Sequence, residues 1–439
     1  MKLYFCLLLT VSFLQQTLIN TKTKNSKLVG VVEIIRHGAR TPMTYMENSA
    51  KLYFGSRKAQ LTINGLRQHI LSGRWLRRRY VHGEVSKLFE RDVSKINSRE
   101  VQVISSPLQR TIFSSTGHIN GLFPRAIIRL NFHDRNQIKT NDIPPIKGFK
   151  IDPRDGKEIT INVISKERDF VFHADKCLSN NSTKTVFQEM KRKKIFNVTR
   201  EERKYAVEDI MKQYEHFLND KINKVEKRFK NKGNEIRKNI KKFKQYSKLH
   251  LKKLISWLRP FRYHTIFPQL LQPKTVAIMK KQILNRWYEP RLIDSPSLKY
   301  STSYIFNKMH KLFTLKSKNL GRRKMIIFTG HDTNIVNALT NLLSPKYLLS
   351  RIKKAPKDRK DYKFLVPPLA SNLLFELYKK NLKNEFYVKI LYNGEYINEN
   401  FIKKLRVKKN KINFFDFMRL INSRILPDTK QLKCGFKFK

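Results

Sequence analysis

A histidine and two arginines stand close together early in the sequence, directly after an apolar run. The run Val31–Ile35 is rich in β-branched residues and predicts a buried strand, which ends at Arg36 and His37. Guanidinium groups such as those of Arg36 and Arg40 offer rigid forks of donors that suit a phosphate dianion. An imidazole between them can attack phosphorus as a nucleophile. The pattern therefore predicts an anion-binding loop at the carboxyl end of a strand, where open α/β sheets bind their ligands.

Two later segments repeat this arrangement of a short apolar strand followed by polar residues. The first predicted strand is Glu100–Ser105, and Arg110 follows it on a loop or a first helical turn. The second is Lys324–Thr329, and His331 and Asp332 come directly after it, before a predicted helix. The amino terminus of that helix favours an anion, because its backbone N–H groups and dipole point at the ligand.

The motif Arg-His-Gly-x-Arg-x-Pro at residues 36–42 resembles the signature of the histidine acid phosphatases, the second branch of the histidine phosphatase superfamily. The resemblance extends to the Leu-Thr-x-x-Gly sequence at 61–65, to Arg110 and to the His331-Asp332 pair, in family order. It implies that His37 is the nucleophile and that Asp332 is the general acid and later the general base. It also implies that four residues bind phosphate, namely Arg36, Arg40, Arg110 and His331. No metal or other cofactor is expected, because the arginines supply the positive charge.

The function implied is that of a secreted or lysosomal-type acid phosphatase, which hydrolyses phosphomonoesters through a covalent phosphohistidine. A phytase-like or lysophosphatidate-type member of the same family is an alternative. A mutase or phosphatase of the superfamily's other branch is disfavoured, because those chains usually carry an acidic residue where this chain has Ala39. A non-catalytic polyanion-binding protein on the same fold is a third hypothesis, against which the intact catalytic set argues.

The order of elements predicts an α/β fold with a three-layer core, in which helices flank a mixed, mainly parallel sheet. The core is expected to be discontinuous, from 28 to 135 and from 320 to 439. Residues 136–319 are expected to form an inserted, mostly helical cap, because a Lys-rich amphipathic pattern begins after a capping box at Thr199–Glu202. Leu373–Tyr378 and Phe386–Tyr392 are expected to pair as an antiparallel hairpin.

The composition has 92 Lys+Arg against 34 Asp+Glu, a formal net charge of +58. Lysine is spread along almost the whole chain, so we expect weak, salt-sensitive polyanion binding and no specific nucleic-acid partner. The sequence leaves the oligomeric state open.

The first residues predict export. Residues 1–19 resemble a secretory signal peptide, with Lys2 before an apolar run that is too short to span a bilayer, and no transmembrane anchor is expected. Cys177 and Cys434 remain after its removal, and the family resemblance implies a disulfide between them. N-glycosylation sequons begin at Asn180, Asn181 and Asn197.

Overall fold

The computed structural model describes residues 26–43, 58–90, 96–124, 126–132, 158–165, 171–172, 195–226, 251, 255, 271–288, 296–380, 385–397, 405, 407–408 and 410–426. Within these residues one ten-stranded sheet forms the centre of the molecule. Its strands are β1 Ser26–Arg36, β2 Val101–Ser105, β3 Ile127–Phe132, β4 Glu158–Val163, β5 Met325–Gly330, β6 Asn372–Lys380, β7 Phe386–Tyr392, β8 Glu395–Tyr396, β9 Val407–Lys408 and β10 Lys411–Asn413.

Helices lie on both faces of this sheet. They are α1 Ile63–Arg77, which ends in a π-helical turn at Arg78–His82, α2 Gln109–Leu122, α3 Arg200–Glu226, α4 Pro273–Tyr288, α5 Pro296–Ser317, α6 Asp332–Leu342, α7 Pro345–Lys354, α8 Arg359–Leu365 and α9 Phe414–Asn422. None of the helices in the described part of the chain is both long enough and apolar enough to cross a bilayer.

The strand order is β3-β4-β2-β5-β1-β6-β7-β10-β9, with β8 paired to β7. The five strands from β3 to β1 are parallel to their neighbours, whereas β6 pairs antiparallel with β1 and with β7. The predicted fold class is therefore confirmed: the sheet is mixed, and its parallel part contains all three strands that precede candidate site residues. The predicted hairpin of β6 and β7 is also present.

Strand β1 is covered on both faces, which explains its nearly continuous apolar sequence. Val32 and Ile34 pack in a cluster with residues of helices α3 to α9, whereas Val31 and Ile35 pack in a second cluster with residues of α1 and α2. Alternate residues of a strand point to opposite faces, so β1 contributes to both layers of core. The sheet and its two helical layers make the predicted three-layer arrangement.

The described residues within 136–319, the predicted cap, also contribute to this core. Strand β4 lies in that range and pairs in parallel with β2 and β3. Helices α4 and α5 belong to the same apolar cluster as Val32 of β1 and Phe328 of β5. The capping box is present at the start of α3, where Thr199 and Glu202 exchange backbone-to-side-chain hydrogen bonds of 3.0 and 3.1 Å. The domain division at residues 135 and 320 stays a prediction.

Several other predictions fall on residues that the structure does not describe. The signal peptide at 1–19, both cysteines of the proposed disulfide, Cys177 and Cys434, and the sequons at Asn180 and Asn181 all lie outside the described ranges. Asn197 is described and is exposed, just before helix α3.

Candidate active site

The three predicted site segments meet at one edge of the sheet. Strand β1 lies between β5 and β6, and the register pairs Arg36 of β1 with Gly330 of β5. Strand β2 lies on the other side of β5, where Ser105 pairs with Thr329. The chain leaves β1 with the His37 N–H donating to the Gly330 carbonyl at 3.0 Å. The loops after β1, β2 and β5 therefore begin side by side.

The loop after β1 lies directly against the amino terminus of α1. A Cβ atom at Gly38 would lie 2.3 Å from the Gly65 carbonyl oxygen, and one at Gly65 would lie 2.1 Å from the Ala39 carbonyl oxygen. No side chain fits at either position. From the sequence alone, Gly65 is only a residue that weakens a helix. In the structure, its lack of a side chain allows the loop after β1 to contact the backbone of α1. The Gly38 N–H also donates to the Ser114 hydroxyl of α2 at 3.1 Å, and the Ala39 N–H donates to the Gln68 side chain of α1 at 2.9 Å.

His37 is buried and has a defined tautomer. Its Nδ1 atom lies 2.8 Å from the Gly38 carbonyl oxygen. A carbonyl oxygen only accepts hydrogen bonds, so Nδ1 carries the hydrogen and the neutral ring keeps its lone pair on Nε2. Burial, and then the charges of Arg110, Arg36, His331 and Arg40, hold the pKa of His37 well below its ordinary value of 6.5. The ring is therefore neutral, and able to act as a nucleophile, in mildly acidic solution.

Arg36 connects the β1 loop to the amino terminus of α6. Its guanidinium is 3.0 Å from the carboxylate of Asp332, and it also donates to the Pro367 carbonyl. The Arg36 side chain is 4% exposed and the Asp332 side chain 19% exposed, so the carboxylate is the member of the pair that solvent reaches. This ion pair places a carboxyl group beside the loop that carries Arg36, His37 and Arg40.

His331 is held by an asparagine that sequence reasoning did not single out. The His331 N–H donates to the Asn334 side-chain oxygen at 2.7 Å, and the Asn334 amide donates to the Phe172 carbonyl at 3.1 Å. The His331 ring is inclined at 68° to that of His37, with 5.5 Å between centroids, and its Nε2 is 3.4 Å from the Ser106 hydroxyl. A side-chain acceptor three residues after a helix start is a recognised capping pattern, and this signal could have identified Asn334.

Arg110 and Arg40 complete the cationic group around His37. Arg110 lies in the first turn of α2, is 8% exposed and donates to the Ala59 carbonyl at 3.4 Å. Arg40 is half-buried and donates to the Thr41 carbonyl at 2.9 Å. All six predicted site residues thus lie at one sheet edge. Within the described ranges, no group of three or more His, Cys, Asp or Glu side chains is arranged to hold a metal ion.

We expect the Arg110→Gln variant to lose activity at a higher pH than the wild type when the solution is acidified. After burial, Arg110 is the largest influence that lowers the pKa of His37, so its loss raises that pKa and lets the ring protonate sooner. The variant should also lose about 10²-fold in kcat/KM at its optimum, as when one charge-stabilising donor is removed. The pH profile of kcat/KM measures both effects. Arg129→Gln, at an exposed arginine of β3, serves as a control, and an unchanged acid limb in Arg110→Gln would contradict the prediction.

The buried histidine His69, which lies outside the candidate site, makes the fold sensitive to acid. Burial and the neighbouring His118 lower the pKa of His69 in α1 to about 3. The unfolded chain binds a proton at this residue below about pH 6.5, whereas the folded protein does not, so the free energy of unfolding falls as the pH drops below about 6.5. Between about pH 6.5 and 4.5 this residue alone removes up to about 3 kcal/mol. Urea unfolding should show a smaller loss in His69→Gln than in the wild type or in a variant at the exposed His82, and equal losses would refute this prediction.

Comparisons with known proteins identify the family of the chain. Residues 27–393 match the family model of the histidine phosphatase superfamily, branch 2. Because this match covers most of the sequence, the chain belongs to that family. A Caenorhabditis elegans protein with the name "Putative acid phosphatase 1" is 32% identical over 117 residues, which are 26% of this chain and 26% of that protein.

Solved structures of low sequence identity share the fold. The phytase of Citrobacter braakii superposes with a TM-score of 0.57 at 15% identity, over 93% of this chain and 99% of that one. The Hafnia alvei phytase gives 0.55 at 12% identity, over 94% and 99%. A multiple inositol polyphosphate phosphatase of Bifidobacterium longum gives 0.52 at 12% identity, over 91% and 92%. At such identities the similarity establishes the fold.

Proposed function

We propose that this protein is an acid phosphatase that hydrolyses phosphomonoesters through a phosphohistidine formed at His37. The observation that carries the proposal is the state of His37: a ring with its Nδ1–H bonded to Gly38 and its Nε2 lone pair unprotonated, in the middle of three arginines. Cations around a neutral nucleophile suit attack on an anion, because they attract the substrate and disfavour protonation of the attacking nitrogen.

In the first step the His37 Nε2 attacks phosphorus in line, the bond from phosphorus to the ester oxygen breaks, and the phosphoryl group is transferred to the ring. Arg36, Arg40 and Arg110, with His331, bind the phosphoryl oxygens and stabilise the charge of the transition state. Asp332 gives its proton to the leaving oxygen. A water molecule then attacks the phosphohistidine, Asp332 takes the proton from that water, and phosphate leaves with His37 restored to its neutral state.

The ion pair between Arg36 and Asp332 gives substrate binding a way to prepare the acid. In the free protein the Asp332 carboxylate lies 3.0 Å from the Arg36 guanidinium. A bound phosphate dianion competes for the donors of Arg36 and adds negative charge beside the carboxyl group, and both changes favour the protonated form of Asp332. Substrate binding would thus favour protonation of Asp332, which supplies the proton that the leaving group needs.

The further parts of the proposal rest on sequence patterns. Secretion, or delivery to a lysosome-like compartment, is supported by the apolar run after Lys2. A disulfide between Cys177 and Cys434 and glycosylation at the sequons would follow from that route. A small phosphomonoester is the proposed partner, and weak polyanion binding is expected from the net charge of +58.

Hydrolysis of p-nitrophenyl phosphate by the purified protein, from about pH 3 to 8 and with a chelator present, tests this function. We expect release of p-nitrophenol with a maximum on the acid side and no loss on chelation. A well-folded protein that binds heparin and releases no p-nitrophenol would instead favour the non-catalytic polyanion-binding hypothesis.

A phytase-like substrate is a second candidate, and the charge of the chain favours it. With 92 Lys+Arg and 34 Asp+Glu, the protein attracts a substrate with many phosphates more strongly than one with a single phosphate. We expect kcat/KM for inositol hexakisphosphate to fall more steeply between about 0.05 and 0.5 M salt than kcat/KM for glycerol phosphate, because salt screens this attraction. The phytase-like hypothesis would be excluded if kcat/KM showed the same salt dependence for both substrates and glycerol phosphate were the better substrate at every salt concentration.

A further inference from the structure

A carboxylate that the proposed mechanism does not use is buried beneath the candidate site. Glu33 lies in β1, three residues before Arg36, and its side chain has no solvent exposure. It is on the face of β1 that α1 and α2 cover, because it alternates with Val32 and Ile34, which face the other helices. Burial of a carboxylate is costly unless hydrogen bonds satisfy it, so its partners decide what it does.

Glu33 has one partner on each side. One of its carboxylate oxygens is 3.0 Å from Nε2 of His118, a fully buried residue of α2. Its other oxygen accepts a hydrogen bond of 3.2 Å from the side-chain amide of Asn372, the first residue of β6. One carboxylate therefore ties the strand that ends at the site to a helix and to a neighbouring strand.

The helix on the His118 side contributes directly to the candidate site. Helix α2 carries Arg110 in its first turn, and its Ser114 hydroxyl accepts the Gly38 N–H. The position of α2 is also fixed along its axis, since a Cβ atom at Gly73 of α1 would lie 2.1 Å from the His118 carbonyl oxygen. A displacement of His118 would thus move Arg110 and Ser114 relative to the loop that holds the nucleophile.

The segment on the Asn372 side holds the backbone of the same loop. The Ser371 carbonyl accepts the Arg36 N–H at 2.9 Å, and the Ala370 N–H donates to the His37 carbonyl at 3.2 Å. These are the residues immediately before Asn372. The two hydrogen bonds of Glu33 thus connect it to helix α2 and to the segment before β6, which hold the loop of Arg36 and His37 from opposite sides.

We propose that Glu33 is a positioning residue for the His37 loop. Its hydrogen bonds to His118 and Asn372 set the spacing between β1, α2 and the start of β6, so that the nucleophile and Arg110 are aligned on one phosphoryl group. Displacement of a reacting group by about 1 Å can cost about 10²-fold in rate, which is the scale on which such a residue acts. This inference rests on the proposed phosphatase function.

The test uses two variants. The double variant Glu33→Leu/His118→Leu replaces the hydrogen-bonded pair of Glu33 and His118 with apolar residues. The single variant Asn372→Ala removes the hydrogen bond between Asn372 and Glu33. Exchange of a buried ionisable pair for apolar residues is often neutral for stability, so the double variant should stay folded. We expect its kcat to fall about 10- to 100-fold with KM within about 3-fold of wild type. Inhibition by vanadate, which adopts the five-coordinate geometry of the transition state, should weaken, whereas inhibition by inorganic phosphate should not. Asn372→Ala should lower kcat about 5- to 10-fold in the same way.

Two further variants separate alignment from general stability. Glu33→Gln can keep both contacts, because its amide oxygen can accept the His118 hydrogen bond and its NH2 group can donate to the side-chain oxygen of Asn372 once that amide rotates. It should keep kcat within about 3-fold of wild type. Tyr80→Phe removes a 2.7 Å hydrogen bond to Glu376, another fully buried carboxylate on the same side of the sheet. We expect this control to lower Tm and leave kcat unchanged.

Wild-type kcat in either the double variant or Asn372→Ala would overturn the positioning role, as would an equal loss of vanadate and phosphate inhibition. Either result would leave the proposed function standing, provided that the wild type turns over substrate and His37→Ala does not. An inactive wild type would reject the proposed function itself.

Discussion

In the His37→Ala variant we expect the turnover of every phosphomonoester to fall to background. Alanine has no nucleophile, and the remaining arginines can bind phosphate but cannot form a bond to phosphorus. Removal of a catalytic nucleophile costs on the order of 10⁴- to 10⁶-fold in kcat in hydrolases that form a covalent intermediate. The loss should be the same for alkyl and aryl esters, because both need the same attacking nitrogen.

Two measurements check this prediction. The first is the initial rate of hydrolysis of p-nitrophenyl phosphate and of glycerol phosphate. The second is the amount of phosphate bound covalently to protein quenched during turnover, divided into acid-stable and acid-labile fractions. Wild type should give an acid-labile phosphoryl group, as expected of a phosphohistidine, and His37→Ala should give none. His82→Ala, at an exposed histidine just beyond α1, should behave as wild type. Substantial activity in His37→Ala would end the phosphohistidine proposal.

Much of the fold follows from short local patterns. Strands β1, β2 and β5 are dense in β-branched residues and each is followed by polar residues, so both their existence and their functional ends can be predicted. Strands β8, β9 and β10 are two or three residues long, too short to carry a period-2 pattern. The contribution of β4 to the core sheet depends on pairing with β2 and β3, which is not encoded locally.

The candidate site divides in the same way. His37, Arg36, Arg40, Arg110, His331 and Asp332 could be predicted because they follow strands, suit phosphate chemistry and stand in motifs that resemble those of a known family. Ser114, Gln68 and Glu33 could not, because a hydroxyl in a helix, an amide on a helix face or an acid within a strand acquires a role only through residues distant in sequence. The spacing of α1 against α2 likewise depends on backbone contacts at glycines that sequence patterns treat as weak points of a helix.

Asp332→Asn should separate the chemistry of different leaving groups. Asparagine is nearly isosteric and its oxygen can still accept a hydrogen bond from Arg36, but it has no proton to give to an ester oxygen. An alkyl alkoxide is a poor leaving group that needs this proton, so turnover of glycerol phosphate should fall about 10²- to 10⁴-fold. p-Nitrophenolate leaves readily without protonation, so phosphorylation of His37 by p-nitrophenyl phosphate should be much less affected.

Hydrolysis of the phosphohistidine, the second half of the reaction, provides a further test of the Asp332→Asn variant. Water attack on the phosphohistidine also uses Asp332, as the base, so the variant should release about one equivalent of p-nitrophenol in a fast burst and then stall. Rapid-mixing absorbance records the burst, and protein quenched in alkali, where phosphohistidine is stable, should hold the trapped phosphoryl group. Asp361→Asn is a matched control, because Asp361 also pairs with an arginine, 3.2 Å from Arg351 and outside the candidate site. Equal losses on both esters, without a burst or a trapped phosphoenzyme, would mean that the proton reaches the leaving group from another residue.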